Sequence, residues 1–274
     1  MPRLEPATHV RDFLDRVQPA LAAHDAEHGL LLGLLERAAE QPGEAPAYLV
    51  RLAEGEATIA VAYSAGPNLV LSRGWAPHAA LLAADLRAQG LDLPSVVGPE
   101  AEVDALLAAA GLRPVVVMPQ LVYELRAVVW PVGIPGVMRP MGAADVDLVA
   151  GWLVGFHRDA LPELPYEPAE AIANAQARPA AGLTYLWEVA GRPVAMAALA
   201  RPTRRGITVN AVYTPPAHRR HGYASALVAA VSAEGLSRGK AFCTLYTDRA
   251  NVSTNAMYQR LGYREVGRSK RVRL

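Results

Sequence analysis

The stretch "HRRHGYASALVAA", His218–Ala230, changes character halfway along its length. His218, Arg219, Arg220 and His221 make a dense basic run, Gly222 follows, and Ala224, Leu227, Val228 and Val231 continue as a small apolar segment at helical spacing. Upstream lies the β-rich run "GITVNAVYT", Gly206–Thr214, closed by Pro215 and Pro216. Strand, basic loop, a residue without a side chain and then a helix make an anion-binding arrangement. The first turn of a helix leaves N–H groups unpaired at the positive end of its dipole. Gly222 lets a ligand approach the backbone, and Arg219 and Arg220 add charge. Neither GxxxxGK[ST] nor GxGxxG occurs, so the triphosphate and dinucleotide loops built on those patterns are not indicated.

About thirty residues on, "NVSTNAMYQRLGY" (Asn251–Tyr263) places Asn251, Asn255 and Tyr258 at i, i+4 and i+7, on one helix face. Asn251 also suits a helix N-cap. Two features together resemble the GNAT N-acetyltransferase superfamily. One is R-x-x-G-x-A, formed by Arg219, Gly222 and Ala224 between a strand and a helix. The other is an Asn-led helix ending in Tyr, three residues, Gly and an aromatic. The resemblance covers Val137–Leu274 in full and the N-terminal half in outline.

That resemblance implies an α/β chain of two tandem GNAT-like domains, each a central mixed, mostly antiparallel sheet flanked by helices. It implies acetyl-CoA as cofactor, with its pyrophosphate on Arg219, Arg220, His221, Gly222, Tyr223, Ala224 and Ser225. The backbone of Val212, Tyr213 and Thr214 would pair with the pantetheine amide as an added strand, and Pro215 and Pro216 suit an interrupted edge. A backbone N–H near Val212 would polarise the thioester carbonyl. Asn251 and Asn255 would face the cofactor. Tyr258 would protonate the departing thiolate as the acetyl group passes directly to a primary amine.

Many relatives carry a Glu on the strand before the loop as general base. This strand has Thr208 and Asn210 instead, so Glu188, His157, Asp159 or an ordered water would substitute. The acceptor stays open among a small amine, an antibiotic, a peptide N-terminus and a lysine, with its groove lined by about Trp152 to Arg178 and the domain interface. A non-catalytic acyl-CoA-binding or regulatory module is the competing class.

The rest of the chain reads as a duplication. Helical spacing over Val10–Glu40, broken near His24–Gly29, precedes three β-rich runs, "AYLVRLA", "ATIAVAYS" and "NLVLS", separated by the turns "EGE" and "AGPN". A helix through Leu82 and Leu86, the strand "PSVVGP" and a helix over Glu100–Ala110 capped by Gly111 follow. Two strands, "RPVVVMP" and "QLVYELRAVVW", close the half. The turn-rich "PVGIPG", Pro131–Gly136, marks a boundary between domains 1–130 and 137–274. The second half repeats the order after a helix led by Asp145, a proline-broken stretch and a helix near Glu170, closing on "YREVG" and "KRVRL". The N-terminal copy lacks R-x-x-G-x-A in "RGWAPHAALLAADL", and Leu107 and Glu100 stand where Tyr258 and Asn251 stand. It should be a degenerate copy that does not bind acetyl-CoA conventionally.

Composition narrows the remaining classes. The chain has 274 residues, 52% hydrophobic and 19% charged, with net charge +1. No global field draws it to nucleic acid or membrane, and no basic strip interleaved with aromatics occurs. The single Cys243 excludes an intrachain disulfide and a cysteine-rich zinc site. "HDAEH", His24–His28, matches a zinc-protease pattern in letters, but Gly29 follows at once, so a polar helix end on the surface is the expectation. Trp130, Trp152, Trp187 and Tyr185 read as core and domain contacts. Without a signal-peptide core or an apolar span, a soluble cytoplasmic protein with no metal, of unassigned oligomeric state, is expected.

Overall fold

The structure is a computed structural model that describes residues 1–40, 45–64, 66, 68–91, 93–160 and 166–274. The turn read at 65–68 and the proline-broken stretch after Ala160 fall partly outside the described residues. The first repeat runs β1 (Arg3–Pro6), α1 (Val10–Leu21), α2 (Gly29–Glu40), β2 (Tyr48–Glu54), β3 (Ala57–Ser64), β4 (Asn68–Leu71), α3 (Ala79–Ala88), β5 (Ser95–Pro99), α4 (Glu100–Ala110) and β6 (Val116–Leu125). The second runs β7 (Val137–Pro140), α5 (Val146–Ala160), α6 (Pro168–Ala181), β8 (Thr184–Val189), β9 (Arg192–Ala200), β10 (Gly206–Tyr213), α7 (Tyr223–Ser237), β11 (Phe242–Asp248), α8 (Val252–Arg260) and β12 (Arg264–Arg273). The two strings are identical in order. β1 was not foreseen; its "RLEP" is short and polar, with nothing but its pairing to β2 to mark it.

The chain forms two compact units. One comprises Met1–Val122, Thr247–Ala250 and Glu265–Leu274, and the other Tyr123–Tyr246 and Asn251–Arg264. The first orders its strands β1-β2-β3-β4-β5-β12-β6 and the second β11-β10-β9-β8-β7. In each, the strand before the long Ala-rich helix runs parallel to the strand after it, β4 with β5 and β10 with β11, whereas the other registered pairs are antiparallel.

Alternation along the strands decides which helices cover which face. Tyr48, Val50 and Leu52 of β2 join Trp75, Leu82, Leu86, Val103 and Leu106 on the α3–α4 side. Leu49 of β2 and Val61 and Tyr63 of β3 meet Phe13, Val17, Leu31 and Leu35 of α1 and α2 on the other. Both faces are therefore apolar, as a sheet sandwiched between helices requires. In the second unit Leu186, Met196 and Tyr213 pack with Val149, Trp152 and Leu153 of α5 and Ala171 and Ala175 of α6. Among the described residues no helix is long and apolar enough to cross a membrane.

Several expectations need correction. Each closing pair of strands is one ten-residue strand, β6 or β12. β6 passes straight through Pro119, whose carbonyl accepts the Arg249 N–H at 3.1 Å. The closing strand β12 pairs antiparallel with β5, Ser269 against Pro99 through Arg273 against Ser95, within the first unit. Lys270 adds ion pairs there to Asp104 at 2.6 Å and Glu100 at 3.5 Å. Trp152, Trp187 and Tyr185 are buried as expected, but Trp130 is 58% exposed and is not core.

"HDAEH" is a 3-10 turn and its continuation, not a continuous helix, and it is not a surface feature either. His28 is buried between two backbone groups. Its Nδ1–H donates to the Leu21 carbonyl at 2.9 Å, and Nε2 accepts the Arg73 N–H at 3.1 Å. Burial keeps the ring neutral and pushes its pKa down to about 4. The unfolded chain takes up this proton near about pH 6.5. Stability is therefore full above that pH and falls as pH drops toward about 4, by roughly 3 kcal/mol in total. Urea unfolding at pH 7 and pH 4.5 should show this loss, and His28→Gln should flatten the dependence. An unchanged pH slope in the variant would place the effect on other groups.

Candidate active site

β10 is built so that it leaves its neighbours. Its parallel register with β11 ends at Thr208 opposite Thr244. Its antiparallel register with β9 runs to Asn210 opposite Ala198 and resumes at Tyr213 opposite Met196, so β10 carries one extra residue. Ala211 sits in this bulge at φ +49°, a left-handed conformation that an alanine adopts at a cost of about 1 kcal/mol. The segment Val212–Thr214 thus lies past the last β10–β11 pair, and Pro215 and Pro216 after it have no N–H to offer a ladder. Thr214 Oγ1 is buried there without a hydrogen-bond partner. A buried hydroxyl is rarely left without a partner.

Beyond the prolines, a 3-10 turn at Pro216–His218 leads into the basic loop. Arg220 is exposed at φ +65° and Gly222 stands at φ +81° as the N-cap of α7. The first helical bond runs from the Ala226 N–H to the Gly222 carbonyl at 3.0 Å, so the N–H groups of Tyr223, Ala224 and Ser225 have no acceptor within the helix. A Cβ at Gly222 would come within 2.7 Å of Ile134 Cδ1, which adds a steric reason to the conformational one. The His221 ring stacks on Tyr223 with centroids 5.3 Å apart.

Arg219 is not a free phosphate ligand in this state. Its Nε donates to the Thr214 carbonyl at 2.9 Å, a terminal nitrogen reaches Asp159 Oδ2 at 2.5 Å, and the guanidinium lies 5.8 Å from the Tyr213 ring centroid. It clasps the end of β10 and the end of α5 together. Gly155 on α5 makes the close approach possible, because a Cβ there would collide with Tyr213 Oη.

The side chains weighed as general base divide on these contacts. The hydrogen bond from Arg219, joined by Arg158, holds the Asp159 carboxyl below its usual range, which makes it a poor proton acceptor. Glu188 is paired with Arg139 at 2.6 Å, and the same guanidinium binds Asp145 through two bonds at 2.7 and 2.8 Å. His157 differs. Its Nδ1 is buried with no partner among the described residues, and its ring stacks on Tyr166 at 4.0 Å and 10°.

α8 carries the remaining expected residues. Asn251 is its N-cap, the side-chain oxygen accepting from the Thr254 N–H at 3.2 Å, and Asn255 is buried one turn on. Tyr258 is buried against Tyr123 and Tyr263, with ring centroids 6.3 and 5.7 Å away. Burial pushes the Tyr258 phenol well above its ordinary pKa, so its proton is kept. Tyr263 is anchored by Ser232 Oγ at 2.8 Å, which ties α8 to α7.

Residues 148–263 match the sequence model of the acetyltransferase (GNAT) family. Those residues of the chain form a GNAT-family domain. No curated protein matches it. Among solved structures it shares its fold over nearly its whole length with three. One is a GCN5-related N-acetyltransferase from Sphaerobacter thermophilus, at 18% identity and TM-score 0.60, covering 99% of this chain and 95% of that one. A tandem GNAT protein from the clavulanic acid biosynthesis pathway aligns at 12% identity and TM-score 0.58, covering 100% and 98%. A Drosophila protein aligns at 14% identity and TM-score 0.66, covering 99% and 98%. The fold is thus two GNAT-like domains in tandem.

The first GNAT copy treats the equivalent loop differently. Between β4 and α3, the N–H groups of Gly74 and Ala76 both donate to the Glu102 carboxylate from α4, the former at 3.1 Å. Glu102 is 7% exposed. The chain's own carboxylate therefore sits on amides in the region where a phosphate would be bound. Glu100, in the place of Asn251, pairs with Arg249 at 3.1 Å, and Leu107, in the place of Tyr258, is buried in the core.

Sequence reasoning missed the Ala211 bulge, the Arg219–Asp159 clasp and the Glu102 cap. A Glu two residues into a helix is an available signal for the last, since helix starts favour acidic residues; the other two have no local signature. Glu102→Ala should destabilise the protein by about 1–3 kcal/mol by stranding two N–H groups. Thermal or urea unfolding measures it, and an unchanged midpoint would mean that solvent replaces the carboxylate without loss.

Proposed function

We propose that this protein is an acetyl-CoA-dependent N-acetyltransferase that passes an acetyl group directly to a primary amine, with 137–274 as the catalytic GNAT repeat and 1–130 as a degenerate copy. The observation that carries this is the interruption of β10. A bulge at Ala211, the end of β11 pairing at Thr208 and the orphaned Thr214 hydroxyl lie just before a basic loop and an uncapped helix start. Amide-like and phosphate chemistry are provided for in succession along one segment.

Acetyl-CoA fits these residues and supplies an activated thioester. Backbone groups of Val212, Tyr213 and Thr214 hold its amide-bearing arm. The N–H groups of Tyr223, Ala224 and Ser225, with Gly222 leaving room and Arg220 and His221 adding charge, hold its diphosphate. Arg219 shapes that loop through Thr214 and Asp159. Asn251 and Asn255 present the N-terminal half of α8. In the transfer the amine nitrogen bonds to the acyl carbon as the carbon–sulfur bond breaks. His157 or a bound water takes the amine proton, and the thiolate sulfur receives the proton that Tyr258 holds on Oη. The alternative, a non-catalytic acyl-CoA-binding module, uses the same loop but has no need of a protonated phenol.

Tyr258→Phe keeps the ring packed against Tyr123 and Tyr263 and removes only the proton. It should lower kcat roughly 10²-fold, the low end for acid assistance because a thiolate already leaves well, and leave acetyl-CoA affinity nearly unchanged. Full turnover in the Phe variant, with chemistry rate-limiting, would make Tyr258 a packing residue.

Gly222→Val should weaken CoA binding and spare pantetheine, which lacks the diphosphate. Calorimetry with both ligands reads the difference; equal losses would move the phosphates elsewhere. The same titration should give one equivalent of acetyl-CoA per chain, and two would overturn the reading of the N-terminal copy.

A further inference from the structure

The second unit's sheet has a polar face that the acetyl-CoA reading does not use. A Cβ on Gly235 of α7 would meet Leu199, Ile207 and Cys243, so those side chains point toward α7. Alternation turns Thr208 and Thr244 to the opposite face, and their hydroxyls lie 3.2 Å apart. Asn210 and Tyr246, each two residues further on, share that face. So does Met196, which packs with α5 and α6. This is the side on which the acceptor groove was expected.

Two atoms here lack what their chemistry demands. Asn210 Oδ1 is buried without a hydrogen-bond partner, and so is Arg201 Nε. Arg201 follows the last residue of β9, beside the Ala200–Thr208 pair, and its charge is felt by Tyr246 of that face. Among the described residues it makes no ion pair and no side-chain hydrogen bond. Desolvation depresses its pKa, the mark of a charge taken from water without an opposing one. Its backbone is also strained, at φ +45°. Other enclosed arginines of this chain have partners: Arg51 meets Glu5, the Glu56 carbonyl and Thr58, Arg139 meets Glu188 and Asp145, and Arg178 meets Asn174 and Thr184. A half-buried arginine on a strained residue, its Nε enclosed without a partner, is retained against its cost where a ligand completes it.

We propose that Arg201 and Asn210 recognise the acceptor, and that the acceptor is an amine bearing a carboxylate, an amino-acid-like molecule. The carboxylate pairs with the Arg201 guanidinium and an N–H of the amine donates to Asn210 Oδ1. A donor and an acceptor left empty on one face suit a molecule with both an anion and an amine. This rests on the acetyl-transfer reading, because the amine is the nucleophile there.

The test uses the twenty common α-amino acids and their carboxamides as paired acceptors, with thiol release from acetyl-CoA as readout. Arg201→Gln and Arg201→Met are compared with the parent. At least one acid should outperform its amide by tenfold or more in kcat/KM. Either substitution should remove that preference while acetyl-CoA affinity is kept. The free variants should also melt no lower than the parent, since removing an enclosed Nε that has no partner relieves a cost, whereas removing a structural arginine lowers the midpoint. Amides favoured over acids, an unchanged preference in both variants, or a lowered midpoint would overturn the assignment while leaving acetyl transfer intact. If no amine releases thiol, it is acetyl transfer that fails. Calorimetry of N-acetyl amino acids against the CoA-loaded protein then decides the site: binding lost on Arg201→Gln supports it, and equal or absent binding overturns it.

Discussion

Where β10 parts from β11 determines what the second unit can do. A parallel pair is normally continuous through the centre of a sheet, and giving up its hydrogen bonds leaves backbone groups that need another partner. The chain makes this separation permanent with an inserted residue at Ala211 and two prolines that cannot rejoin the ladder. The prolines also set the turn that delivers the basic loop to the start of α7. Bulge, unpaired edge and helix start are thus one continuous device within fifteen or so residues, and α8 sets the buried Tyr258 beside Tyr123 and Tyr263.

The two copies show how little separates an open loop from a closed one. Both join a strand to a helix through a turn whose amides need an acceptor. In the first, Glu102 supplies it from within the chain, and the arrangement is neutralised and buried. In the second, the amides of Tyr223, Ala224 and Ser225 stay available, while the nearby carboxylate, Asp159, is spent on Arg219 and not on the loop. A single internal anion aimed at the backbone separates them more than any difference in element order.

What was legible beforehand follows the range of the interaction. The loop–helix junction, the shared face of Asn251, Asn255 and Tyr258, and the Gly111 cap are set by residues a few positions apart, and they stand as read. The order of elements was legible because the halves echo each other. The fate of β12 was not, since strand pairing is decided by partners 170 positions away, as in the Ser269 bond to the Gly98 carbonyl. His28 and Trp130 exchanged their expected environments for a related reason. A histidine among charged neighbours gives no hint that two backbone groups enclose it, and a tryptophan gives none that its surroundings leave it exposed. Unpaired buried atoms such as Arg201 Nε are invisible in letters, because absence of a partner is a property of the packed molecule.

The placement of β12 also constrains the order in which this protein can be made. The N-terminal copy emerges first from the ribosome, but the strand that lies against β5 is translated only after the whole of the second repeat's preceding elements. Until then that edge presents unpaired N–H and C=O groups to whatever strand is near, the situation that invites aggregation. The nascent first copy must therefore wait, shielded or partly folded, for about 165 residues of intervening chain. Its own β6, which the repeat order would set beside β5, is available much earlier.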